Sequence, residues 1–243
     1  MKVVATVEAR MGSSRLPGKV LLPAAGGPML GHLVSRLRRV EGLDQIVVAT
    51  TTDRGDDVLE DWSKQNEVAI FRGSANDVMG RVIGAAKSVS ADLIVEITGD
   101  CPLIDPDIVD LGIRTFLANS VDYVSNVVVP SYPIGMDVQV FLLETLESSY
   151  NETSDPLDLE HVTRHIRQNP SKFSPLNMIA PKGAHRPGLG LTLDEQADYL
   201  VIKEVLENLQ PTLSFSCQEI IKFLESRPDI LALNHSVYRK GFE

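Results

Sequence analysis

The chain has little of several things that would mark a class. It carries two cysteines in 243 residues, Cys101 and Cys217. They stand far apart and form no pair at metal-ligand spacing, which argues against a disulfide framework and suits a reduced, cytoplasmic protein. No apolar run approaches the roughly 20 residues of a membrane helix, so no membrane insertion is expected. Met1-Lys2-Val3-Val4 opens a strand and lacks the apolar core and cleavage site of a signal peptide. Cations are outnumbered, 23 Lys and Arg against 33 Asp and Glu, for a formal net charge of −10. That balance argues against general nucleic-acid binding. A Walker A loop is absent, because Gly12 and Gly18-Lys19 are six apart and Val20 follows the lysine. G-x-G-x-x-G is absent too. No Ser-His-Asp or Cys-His pattern argues for covalent catalysis. His161 and His165 lack a partner at metal spacing and read as a solvated helical face.

What is present is uneven. Residues 1–40 hold seven cations and one acid, Glu8, on an otherwise acidic chain. A local basic site on an acidic body suits a small anionic ligand. The cations gather in Glu8-Ala9-Arg10-Met11-Gly12-Ser13-Ser14-Arg15-Leu16-Pro17-Gly18-Lys19, directly after the apolar run Val3 to Val7. Such a loop can aim backbone N–H groups, serine hydroxyls and fixed positive charge at one polyphosphate. The alternative is a turn with ordinary surface cations.

The first half alternates strands and amphipathic helices. Strands are predicted at Val3–Val7, Gln45–Thr50, Val68–Phe71 and Asp92–Ile97. Helices are predicted at Pro28–Val40, at Asp53–Gln65 with Val58, Leu59 and Trp62 inward, at Asp77–Val89 capped by Asn76, and at Asp105–Leu117. This rhythm predicts an α/β fold with a mainly parallel sheet covered on both faces. Ligands of such sheets bind at the carboxyl edge, so loops 8–19, 51–54 and 98–105 are expected to share a cleft. Residues 122–190 break the rhythm. Strands are predicted there at Tyr123–Val129, Met136–Phe141 and Phe173–Ile179, with a helix at Asp158–Gln168. The region reads as an inserted subdomain over the cleft and a possible dimer contact within a single domain, 1–243. A short strand, Leu191–Leu193, and helices Asp194–Leu209 and Cys217–Ser226 close the chain.

Two aspartates are candidate Mg²⁺ ligands. Asp100, in Thr98-Gly99-Asp100, ends an apolar strand beside the basic loop, and Asp194 ends Leu191-Thr192-Leu193. Mg²⁺ takes one or two protein carboxylates plus phosphate oxygens and water. The plainer readings are a turn cap for Asp100 and a helix N-cap for Asp194. Asp137, on an alternating strand with polar residues on one face, could touch a substrate or a metal, or simply face water.

These motifs resemble the nucleotide-diphospho-sugar cytidylyltransferases that activate acidic sugars such as 3-deoxy-manno-octulosonate and sialic acid, and the cytidylyltransferase-like spore-coat polysaccharide proteins. The likeness is carried by Ala9 to Lys19, Arg72-Gly73-Ser74 with Asp77-Val78 and Arg81, Ile97 to Pro106, Gly135-Met136-Asp137-Val138, Glu160-His161-Val162-Thr163, and Leu191-Thr192-Leu193-Asp194 with Asp198-Tyr199. It spans nearly the whole chain. It implies a Rossmann-like sheet of the glycosyltransferase-A type, usually dimeric. The implied reaction is attack of a sugar oxygen on the α-phosphate of CTP with release of pyrophosphate. Carried over, Arg10, Ser13, Arg15 and Lys19 hold the triphosphate, with N–H groups near Met11 and Gly12. Asp100 and Asp194 hold Mg²⁺. Thr51, Arg72, Asp77 and Arg81 are looser candidates for base, ribose or sugar. Arg10, Lys19 and Asp100 are the expected catalytic groups. Glu8 stands where this branch would carry glutamine. An ionised carboxylate is acceptor only, a pattern that suits the N1–H and N2–H₂ edge of guanine.

Two other functions compete. A glycosyltransferase of the same fold would want a D-x-D metal motif, and Asp105-Pro106-Asp107 has that spacing. A non-catalytic nucleotide sensor on the same scaffold is the third possibility.

Overall fold

Apolar, β-branched stretches become strands and the amphipathic stretches between them become helices. Strand β1 is Val3–Glu8, and a short hairpin, β2 (Pro23–Ala24) with β3 (Gly27–Pro28), leads into α1 (Met29–Leu37). Next come β4 (Gln45–Thr51), α2 (Asp57–Gln65), β5 (Ala69–Gly73), α3 (Val78–Ser88), β6 (Leu93–Thr98) and α4 (Pro106–Ala118). The second half holds β7 (Tyr123–Ser125), β8 (Gln139–Leu142), α5 (Leu143–Tyr150), α6 (Pro156–Glu160), α7 (Arg164–Gln168) and β9 (Pro175–Asn177). Helices α8 (Gln196–Asn208), α9 (Cys217–Ser226) and α10 (Pro228–Leu231) follow. This computed structural model describes residues 1–209 and 214–239.

Seven strands form one sheet in the order β5-β4-β1-β6-β8-β7-β9. Pairing is parallel throughout except that β8 runs antiparallel to β6 and β7. The chain is therefore α/β, with the mainly parallel sheet that its rhythm predicts and the Rossmann-like character that the resemblance implies. The irregular stretch 122–190 supplies β7, β8 and β9 to that same sheet.

The period of two splits the core. Ala5 and Val7 of β1 join the larger cluster with α1, α4, α8 and α9, while Val4 faces α3 and α5 on the other side. On this second face the strands turn polar toward the carboxyl edge of the parallel strands. Val4 gives way to Thr6 and Glu8 on β1, and Ile94 to Glu96 and Thr98 on β6. On β8, which runs the other way, Gln139 lies opposite Glu96. A cleft floor is thus written into the continuation of an apolar core.

Local competition shifts several predicted boundaries. Pro28 caps α1 from outside, as its fixed φ and missing N–H permit. A 3₁₀ turn at Arg54–Asp56 precedes α2, and Val58 is exposed while Leu59 is buried. Helix α3 is capped by Asp77, whose Oδ1 accepts the Gly80 N–H at 2.8 Å, and Asn76 lies one residue outside. The strand expected to reach Val129 stops at Ser125, because Asn177 Oδ1 accepts the Val128 and Val129 N–H groups at 3.1 and 3.0 Å. The helix expected over 158–168 breaks at Val162, which has φ 36°. Near Leu191 the expected strand is reduced to a bridge between Ile134 and Gly190.

Gly135 has φ 103°, and a Cβ there would lie 2.7 Å from the Leu191 carbonyl carbon and 2.8 Å from the Thr192 nitrogen. Both the left-handed backbone and the close approach exclude a side chain. Gly135→Ala is expected to destabilise the fold by at least about 2 kcal/mol in urea titration, whereas Gly55→Ala, at an open position, stays within about 0.5 kcal/mol.

Candidate active site

The loop after β1 is held from behind by a buried carboxylate. Asp56 accepts the Met11 N–H at 2.7 Å, the Thr51 N–H at 3.3 Å and the Thr51 hydroxyl. The loop then folds on itself, with the Ser13 and Gly18 N–H groups both donating to the Met11 carbonyl at 2.9 Å. Gly18, at φ 70°, turns the chain into a 3₁₀ turn that begins at Lys19. The result leaves Arg10, Ser13, Ser14, Arg15 and Lys19 along one wall of a cleft of about 450 Å³. Gly12 is exposed on the same loop.

Lys19 is the centre of the site. Its Nζ lies 2.9 Å from Asp100 Oδ2 and 3.1 Å from Asp194 Oδ1. Arg15 Nη2 adds a second cation to Asp194 Oδ1 at 2.9 Å. Each aspartate is oriented by the threonine two residues before it. Thr98 Oγ1 donates to Asp100 Oδ1 at 2.6 Å, and Thr192 Oγ1 donates to Asp194 Oδ2 at 3.4 Å. The backbones are tied as well, the Leu193 N–H donating to the Asp100 carbonyl at 2.8 Å. Residues from positions 19, 100 and 194 therefore converge as expected. Asp194 is not the cap of α8; Glu195 takes that place. Burial works against charge at Asp100, but the Lys19 ammonium and the Thr98 hydroxyl outweigh it and hold the carboxyl below its usual range. Burial likewise opposes the Lys19 charge, and the two aspartates raise its pKa in spite of it.

This donor set fits a divalent cation. Each carboxylate has one oxygen fixed by a threonine and the other turned to a point both share, now held by an ammonium. Among the described residues no group of three or more His, Cys, Asp or Glu side chains gathers at metal spacing. Two carboxylates are what Mg²⁺ asks of a protein when phosphate and water complete its shell.

The floor is a chain of hydrogen bonds. Tyr123 Oη and Thr163 Oγ1 both donate to Gln139 Oε1, the latter at 2.6 Å, and Gln139 Nε2 donates to Glu96 Oε2. Glu96 and Glu8 are hydrogen-bonded to each other. Burial, then the Glu96 charge, pushes Glu8 far above the usual carboxyl range. A carboxyl pushed in that direction is favoured in its neutral form, which unlike an ionised glutamate carries an O–H donor. Burial also raises Glu96, to about 7, and Asp137, to about 7.

Several expected ligand contacts are structural instead. Met11 gives its N–H to Asp56, and Thr51 is buried with its hydroxyl on the same carboxylate. Loop 51–54 does not line the cleft. Arg72 pairs with Asp57 at 2.7 Å and Glu60 at 3.0 Å, and it donates to the Thr51 and Asp53 carbonyls, so it ties β5 to α2. Asp77 caps α3, accepts the Tyr150 hydroxyl at 2.8 Å and lines a neighbouring cavity of about 460 Å³. Arg81, buried between the two cavities, donates to the Ser74 carbonyl and does line the cleft. Asp137 does not reach the cleft surface, although its field raises the Glu96 pKa. The D-x-D spacing is a helix cap. Asp105 is buried, accepting the Asp107 N–H at 3.0 Å and the Cys217 N–H at 2.6 Å. Thr98, Gln139, Thr163 and Arg167 also line the cleft, and none of them had been given a site role from the sequence. The repeat Thr-x-Asp at 98–100 and 192–194 was the available signal for the first.

A family model described as cytidylyltransferase matches residues 4–230. The spore coat polysaccharide biosynthesis protein SpsF of Bacillus subtilis is 32% identical over 233 residues, covering 92% of this chain and 94% of that protein. A 3-deoxy-manno-octulosonate cytidylyltransferase of Trichlorobacter lovleyi is 36% identical over 120 residues, covering 49% of this chain and 46% of its own length. The solved structure of a cytidylyltransferase from Leptospira borgpetersenii superposes with TM-score 0.91 at 35% identity, covering 98% of this chain and all of that one.

Two measurements test this geometry. Lys19→Met leaves two half-buried carboxylates facing each other, so it should lower Tm, and added Mg²⁺ should raise Tm more in the variant than in the wild type. Equal Mg²⁺ responses would mean that the two aspartates do not share a cation. The second is pH. Glu96 binds its proton more tightly folded (about 7) than at its ordinary 4.5, so its contribution to stability is complete below about 4.5 and is lost as pH rises to about 7. Glu96→Gln should flatten the fall in unfolding free energy across that window by on the order of 1–3 kcal/mol, read from urea titrations at each pH.

Proposed function

This chain belongs to the cytidylyltransferase family, and on that premise we propose that its cleft transfers CMP from CTP to a hydroxyl of a sugar or sugar acid for surface polysaccharide synthesis, releasing pyrophosphate with the help of Mg²⁺. The single observation that carries this reading is the Lys19 ammonium shared by Asp100 and Asp194 beside Arg10, Ser13, Ser14 and Arg15. The relatives' names support the substrate class, since they act in spore coat polysaccharide synthesis and on 3-deoxy-manno-octulosonate.

Transfer at phosphorus asks little covalent work of a protein. What it needs is alignment and neutralisation of charge on the α-phosphate and the leaving pyrophosphate. Arg10 is exposed at the cleft and has no ion-pair partner among the described residues, so its planar fork is free for phosphate oxygens. Ser13 and Ser14 add hydroxyl donors. Arg15 and Lys19 carry charge that is now spent on Asp194 and Asp100 and that a triphosphate can share. Asp100 and Asp194 are the residues to hold Mg²⁺, which when bound supplies Lewis-acid neutralisation of the phosphates. Glu160, His161 and Arg167 line the same cleft and offer an acceptor sugar both donors and acceptors. The D-x-D alternative loses its support because Asp105 is committed to capping α4.

The test is pyrophosphate release from each NTP with Mg²⁺ and a panel of sugars and sugar acids. CTP with one acceptor should turn over, and Asp100→Asn should lower kcat by at least about a hundredfold while the protein stays folded. Folded wild-type protein releasing no pyrophosphate with any combination would overturn the reading. Cleavage of a ready-made nucleotide sugar would replace it with glycosyl transfer.

A further inference from the structure

Behind the aspartate at 194 stands a second, fully buried carboxylate, Asp198. Its Oδ2 accepts the Glu195 N–H at 2.9 Å, which capping of α8 explains, and also the Asp194 N–H at 3.2 Å. Its Oδ1 accepts from Asn234 Nδ2 at 2.8 Å and Arg239 Nη2 at 2.7 Å. A cap at a surface helix needs no buried counter-ion; this one has Arg239, itself only 10% exposed.

The arginine is seated on purpose-built backbone. A Cβ at Gly190 would fall 1.9 Å from Arg239 Nη2, so only glycine admits the guanidinium there. The Gly190 carbonyl takes a further bond from Asn234 Nδ2 at 3.0 Å. The same segment reaches the front of the site, where Arg15 Nη1 donates to the Tyr238 carbonyl at 3.2 Å while Arg15 Nη2 holds Asp194. Residues 234–239 thus touch both supports of Asp194, the carboxylate behind it and the cation before it.

From this arrangement we infer that Asp198 and Arg239 are positioning residues for Asp194, so that the C-terminal segment is part of the apparatus that presents the metal carboxylate. The inference rests on the proposed metal role of Asp194. Its physical content is that Arg239 neutralises Asp198, Asp198 fixes the Asp194 amide, and the amide fixes where the Asp194 side chain can point. Partners of this kind, one bond removed from a ligand, typically change metal affinity by about 10–100-fold when lost.

Arg239→Met and Arg239→Lys test it, each alone and combined with Asp194→Asn. Hydrogen exchange at the Asp194 and Glu195 amides should quicken in Arg239→Met and recover in part in Arg239→Lys. Mn²⁺ affinity, read by electron paramagnetic resonance with Mn²⁺ as the sole added ligand, should weaken about tenfold or more in Arg239→Met and show no further loss when Asp194→Asn is already present. Unchanged exchange, unchanged Mn²⁺ affinity, or an equal loss with and without Asp194→Asn would each overturn the inference. Wild-type protein that binds no Mn²⁺ would sink the metal reading itself, while the exchange experiment would still decide whether Arg239 orders the Asp194 amide. Should Arg239→Met fail to fold, Arg239→Lys carries the same measurements.

Discussion

Two carboxylates aimed at one point repel each other unless something positive stands between them, and that constraint organises this molecule. Lys19 satisfies it, 2.9 Å from one and 3.1 Å from the other. At such distances in a partly buried setting the attraction amounts to about 4 kcal/mol for each pair before desolvation is subtracted. Geometry elsewhere serves this contact. Gly18 turns the chain so that Lys19 enters the cleft, Asp56 anchors the loop through Met11, and Gly135 lets the backbone around Leu191 close in. Removing any of these alters where three distant parts of the chain meet.

The floor shows a different solution to the same problem of crowded acids. Glu8 and Glu96 sit on adjacent parallel strands, on the face that begins apolar with Val4 and Ile94. Among the described residues neither forms an ion pair, and the Arg81 charge near Glu8 and the Arg167 charge near Glu96 are outweighed by burial. Burial, the largest cause at both, favours their neutral forms. Gln139 extends the chain and fixes its direction, because an amide has a distinct donor end and acceptor end. One wall of the cleft is thus charged and compensated, and the floor is kept close to neutral.

Much of this was legible in residues alone, and the misses have a common cause. The parallel sheet followed from the alternation of β-branched runs with amphipathic stretches, and helix α9 was read to both of its ends. Lys19 and Asp100 were legible because each follows a strand at the carboxyl edge, where topology brings loops together whatever their separation in sequence; Asp194, expected to end a strand that is only a bridge at Gly190, is held there by the Leu193 N–H on the Asp100 carbonyl. Thr51, Arg72 and Asp77 occupy the same edge, yet each is captured by a nearer partner: Asp56, the acids of α2, and the first turn of α3. Position along a strand predicts nearness to a cleft, but orientation is decided by local competition for hydrogen bonds, which no spacing records. The split at Val162 escaped for a related reason. A valine at φ 36° contradicts its own preferences and persists only because the fold around it holds it there.

The placement of the lysine carries a consequence for how stability and activity are linked. In the free protein its charge offsets that of the two aspartates, so the fold gains from a contact that the proposed reaction must loosen. Asp100 and Asp194 keep their orientation through Thr98 and Thr192, which are untouched when the ammonium moves. The threonines thus hold one oxygen of each carboxylate, while Lys19 and Arg15 supply the charge on the other side. Under the proposed reaction such a site would need little reorganisation: Lys19 and Arg15 would change partners, and a polyphosphate would bring the negative charge to which they could turn.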